Sequence, residues 1–524
     1  MADDRAAGDR TALPGEDGSV WLATSERTDY AALDGGLTVD VAVIGGGIAG
    51  VTAAFELVEA GQSVAVLERD RIVEGVTGHT TAKLTSLHGT VYDHLLSEFG
   101  EREARQYAAA NEAAIDAVES TIDERGIDCG FERTSAYTYV ESADATGKLR
   151  DEARAARRLD LPATYTDSTP LPFEVAGAVC LDDQAQFHPR KYLLALASAV
   201  DGEGGHVFER TRATAVDAGT PCRVDTDRGS VRAADVVVAT HFPIYDHAFF
   251  YGRMSPKRSY VLAVELDSEP PEGLYYRAEE PYFSVRPLPG SDSPRVLVGG
   301  ENHRTGRGGS TAERYRRLAR RARSRFDVAS VEHRWSTQDF ASVDGVPFVG
   351  EHSPGTDHVY LATGFGGWGM TNGTAAGRIL ADRILGRESP WAEVFRPTRL
   401  NVGASARSLI EHNADAAGQF LVDRLDPSAA VDLDEVDPGE AAVVNVRGES
   451  VGVSRDADGA YHAVSAVCPH MGCHVEWNDA ERSWDCPCHG SRFDPEGRVL
   501  DTPAVEDLER YDLPELTLTD AGRE

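Results

Sequence analysis

Val39-Asp40-Val41-Ala42-Val43-Ile44-Gly45-Gly46-Gly47-Ile48-Ala49-Gly50 is the stretch that decides the architecture of most of the chain. Residues 39–44 read as a buried parallel strand, and Ala53, Ala54, Leu57 and Val58 then recur at helical spacing. A second apolar run, Ser63-Val64-Ala65-Val66-Leu67, ends in Glu68. Strand, Gly-x-Gly-x-x-Gly, helix, strand and acid follow in the order of a dinucleotide-binding fingerprint, which predicts an α/β, Rossmann-like domain. Each residue type has a reason. Gly45 permits the tight turn, Gly47 lets backbone approach a pyrophosphate at the helix N-terminus, Gly50 allows the helix to pack closely on the strand, and Glu68 suits ribose hydroxyls.

Which dinucleotide is bound depends on the residues further along. The run Gly75-Val76-Thr77-Gly78-His79-Thr80-Thr81-Ala82-Lys83-Leu84-Thr85-Ser86-Leu87-His88-Gly89 resembles the flavin-contacting loop of the D-amino-acid oxidase superfamily. Arg210-Thr211-Arg212-Ala213-Thr214-Ala215-Val216 and Ala234-Asp235-Val236-Val237-Val238-Ala239-Thr240 resemble two strands of that family's nucleotide domain. The resemblance implies FAD as cofactor, with Thr80, Lys83, Ala213 and Thr240 among its contacts. It also implies interleaving: an FAD part of about residues 36–90, 170–240 and 340–395, with a β-sheet substrate domain made from the stretches between.

A second literal Gly-x-Gly-x-x-Gly occurs at Gly364, Gly366 and Gly369, within Tyr360-Leu361-Ala362-Thr363-Gly364-Phe365-Gly366-Gly367-Trp368-Gly369-Met370-Thr371. A pyridine-nucleotide site there would need a following strand that closes in an acid. Instead Ala375, Ile379, Leu380, Ile384 and Leu385 form a helical pattern that stops at Gly386, before Glu388-Ser389-Pro390-Trp391. In the superfamily this position is a glycine-rich loop that sets a helix N-terminus against the flavin, so Gly364, Gly366, Met370 and Thr371 are further expected FAD contacts.

Near the other end, Cys468-Pro469-His470-Met471-Gly472-Cys473 is followed by Cys486-Pro487-Cys488-His489-Gly490-Ser491. Structural zinc modules usually present Cys-x2-4-Cys or His-x3-5-His pairs, whereas these loops carry Cys-x-His and Cys-x2-His, each with an extra cysteine. The pattern resembles the Rieske iron–sulfur signature. That resemblance implies a [2Fe–2S] cluster held by Cys468 and Cys486 on one iron and His470 and His489 on the other, with Cys473 and Cys488 joined in a disulfide. In high-potential Rieske proteins a serine and a tyrosine of the second loop donate hydrogen bonds to the cluster sulfur and a cysteine ligand. Ser491 is present here, but the tyrosine position is Phe493, which predicts a lower potential.

The expected organisation is an N-terminal extension (1–35), the oxidase-type FAD body (36–395), a connector (396–427) with a helix over 405–425, and an all-β Rieske domain (428–524). Residues 102–124 read as a helix, and the basic run from Glu313 to Arg323 as a solvated helix face or one paired with local acids. The 524 residues carry 52 Lys and Arg against 86 Asp and Glu, a net charge of −34, and only four lysines. Such acidity disfavours nucleic acid as a partner and suits solubility at high salt, as in a halophile. Met1-Ala2-Asp3-Asp4-Arg5 opens no signal peptide, and no apolar run is long enough to span a bilayer, so a cytoplasmic protein is expected. A Cys473–Cys488 bridge is unusual in a reducing cytosol.

Together these features predict a dehydrogenase. It would oxidise a small amine, amino acid or hydroxy acid at FAD and pass electrons singly through the cluster to an external acceptor. No residue is assigned as catalytic; His241, Arg258, Tyr260, His303, Arg334 and Trp335 follow or begin strands expected to face the flavin. The competing readings are an oxygen-using oxidase with a structural Rieske module and a non-enzymatic redox sensor or electron shuttle. A Rieske oxygenase would need a mononuclear iron site, and no Asp-x2-His-x4-5-His occurs.

Overall fold

The computed structural model describes residues 13–289, 293–353, 355–399, 436–446 and 448–512; the connector helix expected over 405–425 lies outside the described residues. The fingerprint strand Gly35–Ile44 is central in an eight-stranded sheet. Its parallel neighbours are Val64–Leu67 on one side and Gly229–Val238 on the other, with Val359–Thr363 beyond the latter. Their adjoining segments 41–44, Val64–Leu67, 236–238 and Val359–Thr363 are buried on both faces and almost entirely Val, Ile, Leu and Ala.

The helix Ile48–Glu59 packs on this sheet and against the helix Gly369–Ile384. Small residues set that approach: a Cβ on Gly373 would stand 2.6 Å from Ile48 Cγ2, and one on Gly377 would stand 2.7 Å from Thr52 Cβ. The second glycine run therefore opens a helix of the same nucleotide domain, since its strand Val359–Thr363 joins the same sheet. The helix Glu101–Arg125 buries Tyr107, Ala110, Ala114, Ile115, Val118 and Ile122 on one face, as its periodicity predicts.

A ten-stranded sheet forms the second layer, in which the long strand Met254–Leu266 runs antiparallel to Arg295–Arg304 on one side and to Val328–Ser342 on the other. Two strands from stretches expected in the FAD part, Lys83–Leu84 and Gly177–Gln186, join this sheet instead. The cause is local: the buried Arg286 of strand Phe283–Pro287 donates to the Thr81, Ala82 and Phe187 carbonyls at 2.8, 2.9 and 3.0 Å, which draws both segments to the large sheet. The N-terminal segment is also built in. Trp21 is 1% exposed and donates from Nε1 to the Thr80 carbonyl at 2.7 Å.

The basic helix Thr311–Arg325 takes the second of the two readings, paired with acids through Arg317 with Glu301 and Arg320 with Glu313. Its N-terminus is capped from the C-terminal module, where one Asp479 carboxylate oxygen accepts from the Thr311 and Ala312 amides at 2.7 and 3.0 Å. That module consists of a three-stranded and a four-stranded antiparallel sheet. No helix among the described residues is long and apolar enough to cross a membrane.

Candidate functional site

A cavity of about 960 Å³ opens where the fingerprint turn, the second glycine loop, the large sheet and the C-terminal module meet. It lies at the upper end of the roughly 300–1,000 Å³ usual for small-molecule sites. Gly45, Gly47, Glu68, Thr80, Ala213, Thr240 and Met370 line it, which brings together seven of the expected cofactor contacts. Gly47 precedes the helix Ile48–Glu59 and has no side chain of its own to cap it; the Ile48 amide donates to the Thr77 hydroxyl at 3.1 Å, and Gly47, Ile48 and Ala49 bring this N-terminus to the cavity. Both Glu68 carboxylate oxygens are engaged, one by the Gly46 amide at 2.8 Å and the other by the Asp70 amide at 3.0 Å. Burial raises the Glu68 carboxyl above its ordinary range, and these amides oppose that. A glycine cradle, a helix N-terminus at the cavity and an oriented acid fit FAD.

The other five expected contacts stand behind the wall. Gly50 is a packing position, for a Cβ there would lie 2.0 Å from the Gly45 carbonyl oxygen. Thr371 is 1% exposed and its hydroxyl donates to the Thr85 carbonyl at 3.0 Å. Gly364 and Gly366, at φ +82° and +60°, shape the turn, while Phe365, Gly367 and Gly369 reach the cavity. Lys83 donates to the Ser284 hydroxyl, and burial, with Arg286 nearby, lowers its ammonium to about 7.

Of the strand-end candidates, His241, Arg258 and Tyr260 line the cavity. His303 shares a hydrogen bond with the Tyr260 hydroxyl at 3.0 Å, and burial pushes its imidazole down to about 4. Arg334 and Trp335 serve structure: Arg334 donates to the Gly15 carbonyl, and Trp335, 2% exposed, to the His79 carbonyl at 2.8 Å.

The two cysteine–histidine loops leave the short strands of the C-terminal module at one end. The Cys468 amide donates to the Cys473 carbonyl and the Cys486 amide to the Ser491 carbonyl, both at 2.8 Å, which closes each loop into a turn. A Cys473–Cys488 disulfide ties the loops together. Cys468 and Cys486 remain outside it, both buried, and their side chains touch, with Ser491 beside Cys468. The His470 and His489 rings lie 5.0 Å apart, and His470 Nδ1 is buried without a hydrogen-bond partner, as a ligating nitrogen would be. This donor set of two thiols and two imidazoles fits a [2Fe–2S] cluster of Rieske type. Cys473 and Cys486 also come within 4.8 Å of Cys488, but the bridge occupies two of those three sulfurs.

Phe493, fully buried beside these ligands in the module's core, carries no hydroxyl. Phe493→Tyr is expected to raise the cluster midpoint by on the order of 60 mV, the equivalent of one hydrogen bond to a charged group for a one-electron couple. Protein-film voltammetry reads this directly, and an unchanged midpoint would refute the role given to the missing donor.

Sequence reasoning did not find how the loops meet the body. The Tyr251 ring stands edge-on to both His470 and His489, at 5.4 and 5.3 Å. Gln338 donates to the Gly490 carbonyl at 2.8 Å and Arg304 to the Cys488 carbonyl at 2.9 Å. Nearby, Glu481 of the module accepts from Arg258 at 2.6 Å and from Arg492 at 2.5 Å. No local pattern signals these residues, because each partner lies far away in sequence.

Residues 40–383 match the DAO family, FAD dependent oxidoreductase, and residues 427–512 match the Rieske [2Fe-2S] domain. The chain is 36% identical to the Rieske 2Fe-2S iron-sulfur protein YhfW of Bacillus subtilis, over 94% of this chain and 97% of that protein. It is 24% identical to the gamma-glutamylputrescine oxidoreductase of Escherichia coli, over 70% of this chain and 89% of that protein. Glycine oxidase from Geobacillus kaustophilus shares the fold with a TM-score of 0.60 at 19% identity, covering 70% of this chain and 99% of that structure.

Proposed function

The chain belongs to the FAD-dependent oxidoreductase family of D-amino-acid oxidase type and carries a Rieske [2Fe-2S] domain, and from that premise we propose that it is a dehydrogenase whose electrons leave singly by way of the cluster. The substrate is a small amine, amino acid or hydroxy acid; the amine is favoured by the name of the Escherichia coli relative. When bound, FAD would take a hydride from a C–H bond while the N–H or O–H proton goes to solvent; on reoxidation the flavin would release that hydrogen as a second proton, and its two electrons would leave singly through the cluster to two equivalents of a one-electron acceptor.

The observation that carries this reading is the seating of the cluster loops. Tyr251 contacts both histidines, and Gln338 and Arg304 hold the second loop on the same long strands that line the cavity. A module with a purely structural role has no need to turn its metal-ligating face toward the flavoprotein body. Within the cavity, Tyr260 and His241 face substrate space, and Thr80 is held by Trp21 from behind. Lys83, Gly50, Gly364, Gly366 and Thr371 act on FAD through the segments they position.

An anaerobic screen of amines, amino acids and hydroxy acids tests this function, with flavin bleaching and the EPR signal of the reduced cluster read together. A substrate that bleaches the flavin is expected to reduce the cluster in the same molecule. Rapid peroxide formation in air with a cluster that stays oxidised would make the protein an oxidase instead, and no bleaching by any substrate would leave a redox sensor.

A further inference from the structure

The cavity does not end at the flavoprotein body. Beyond the fingerprint turn and Glu68 its wall continues onto the Rieske domain, where Leu500, Asp501, Thr502 and Val505 line it. Leu500 and Val505 are 37% and 50% exposed, two of the five large apolar side chains left exposed among the described residues. Singly exposed apolar residues need no explanation. These two, however, sit on a segment that the body fastens at three points. Arg69 donates to the Leu500 carbonyl, Arg212 to the Val505 carbonyl at 3.2 Å, and the Thr502 hydroxyl donates to the Phe242 carbonyl at 3.3 Å.

Each fastening point adjoins a residue that lines the dinucleotide side of the cavity. Arg69 follows Glu68, Arg212 precedes Ala213, and Phe242 lies two residues beyond Thr240. Asp501 strengthens the first of them, standing 3.9 Å from Arg69 and 3.1 Å from Arg492 of its own module.

We propose that residues 500–506 of the Rieske domain form the outer wall of the FAD site, with Leu500 and Val505 as apolar cover over the end of the dinucleotide that Glu68 receives. The cluster domain is then part of the flavin-binding site as well as a conduit for electrons. Because the same segment fixes the module to the body, FAD affinity and module docking are linked, and each tightens the other by the same factor. The inference rests on the cavity taking FAD and is independent of the electron route.

The test uses the full chain, stripped of FAD with its cluster retained, and titrates FAD by quenching of flavin fluorescence. Val505→Asp and Leu500→Asp are each expected to weaken FAD binding at least tenfold. Val505→Leu should keep wild-type affinity, and the cluster's EPR and visible circular dichroism should stay unchanged in all three. If an aspartate variant loses the cluster, Val505→Ser replaces it, read by an FAD off-rate several-fold faster than wild type. Aspartate variants with intact clusters that bind FAD within twofold of wild type, or an unchanged off-rate in Val505→Ser, would overturn the wall. Failure of the wild-type chain itself to take up FAD would instead remove the cofactor assignment on which the wall depends.

Discussion

Gly50→Ala is expected to give a protein that assembles its iron–sulfur cluster but retains less than a tenth of the wild-type FAD. The added Cβ would stand 2.0 Å from the Gly45 carbonyl oxygen, which is backbone and cannot rotate away. Gly45 cannot yield either: it sits at φ +107°, and its own Cβ position is 2.4 Å from the Ala239 carbonyl oxygen. The helix Ile48–Glu59 is clamped on its far side by Gly373 and Gly377 of the helix Gly369–Ile384. Relief must therefore come from lifting the helix N-terminus off the strand, and that end is the one facing the cavity. Overpacking of this kind costs about 1–3 kcal/mol, here concentrated where the pyrophosphate is expected. The ratio of flavin absorbance to cluster EPR signal measures the effect in one sample. A normal ratio would mean that the fingerprint turn does not hold the cofactor.

Glu481→Gln should loosen the Rieske domain from the flavoprotein body. Glu481 lies between Arg258, whose side chain is 1% exposed, and Arg492, whose side chain is 11% exposed. Burial alone would raise its carboxyl, but the two guanidiniums outweigh burial and hold it at about 2. Amide replacement takes the carboxylate from the buried Arg258, while Arg492 keeps Asp485 and Asp501 at 2.9 and 3.1 Å, and breaking a buried pair costs about 3–5 kcal/mol. The pH dependence has a definite sign. A carboxylate with a depressed folded-state pKa stabilises fully above its unfolded value of about 4.3, and that contribution fades as pH falls toward 2. The wild type should thus exceed the variant by the full difference at neutral pH, with the gap narrowing below about pH 4.3. Urea unfolding followed by the cluster's circular dichroism reports the module, and substrate-driven cluster reduction reports the coupling. Equal stability at pH 7 would show that the Arg258–Glu481–Arg492 cluster does not hold the interface.

The second glycine run shows how context resolves an ambiguous motif. Gly364, Gly366 and Gly369 satisfy the spacing of a nucleotide turn, and the chain after them lacks the strand and acid that such a turn requires. The strand before them, Val359–Thr363, pairs with Gly229–Val238 in the sheet that already contains the fingerprint. Its helix therefore contributes Gly369 and Met370 to the one cavity. Which side chains of that helix reach the cavity depends on the helical step. Thr371, one residue further along the helix, turns inward to Thr85 and His88, because a step of about 100° moves a side chain from the cavity face to the core.

What the sequence determined by itself is everything encoded within a few residues of chain. The glycine turn of the fingerprint, the Cys-x-His and Cys-x2-His loops and the buried face of Glu101–Arg125 all depend on local spacing and on which residue types permit a turn or a helical stripe. Tertiary structure alone decided how the two cofactor sites face each other. Arg258 and Glu481 are 223 residues apart, and Arg69 and Leu500 are 431 apart. Tyr251 meets the cluster histidines across a domain boundary, and Trp21 reaches Thr80 from a segment that reads as a mere extension. Contacts of this kind leave no period or spacing in the chain, because they arise from packing two separately folded surfaces, and a buried arginine looks the same in sequence as an exposed one.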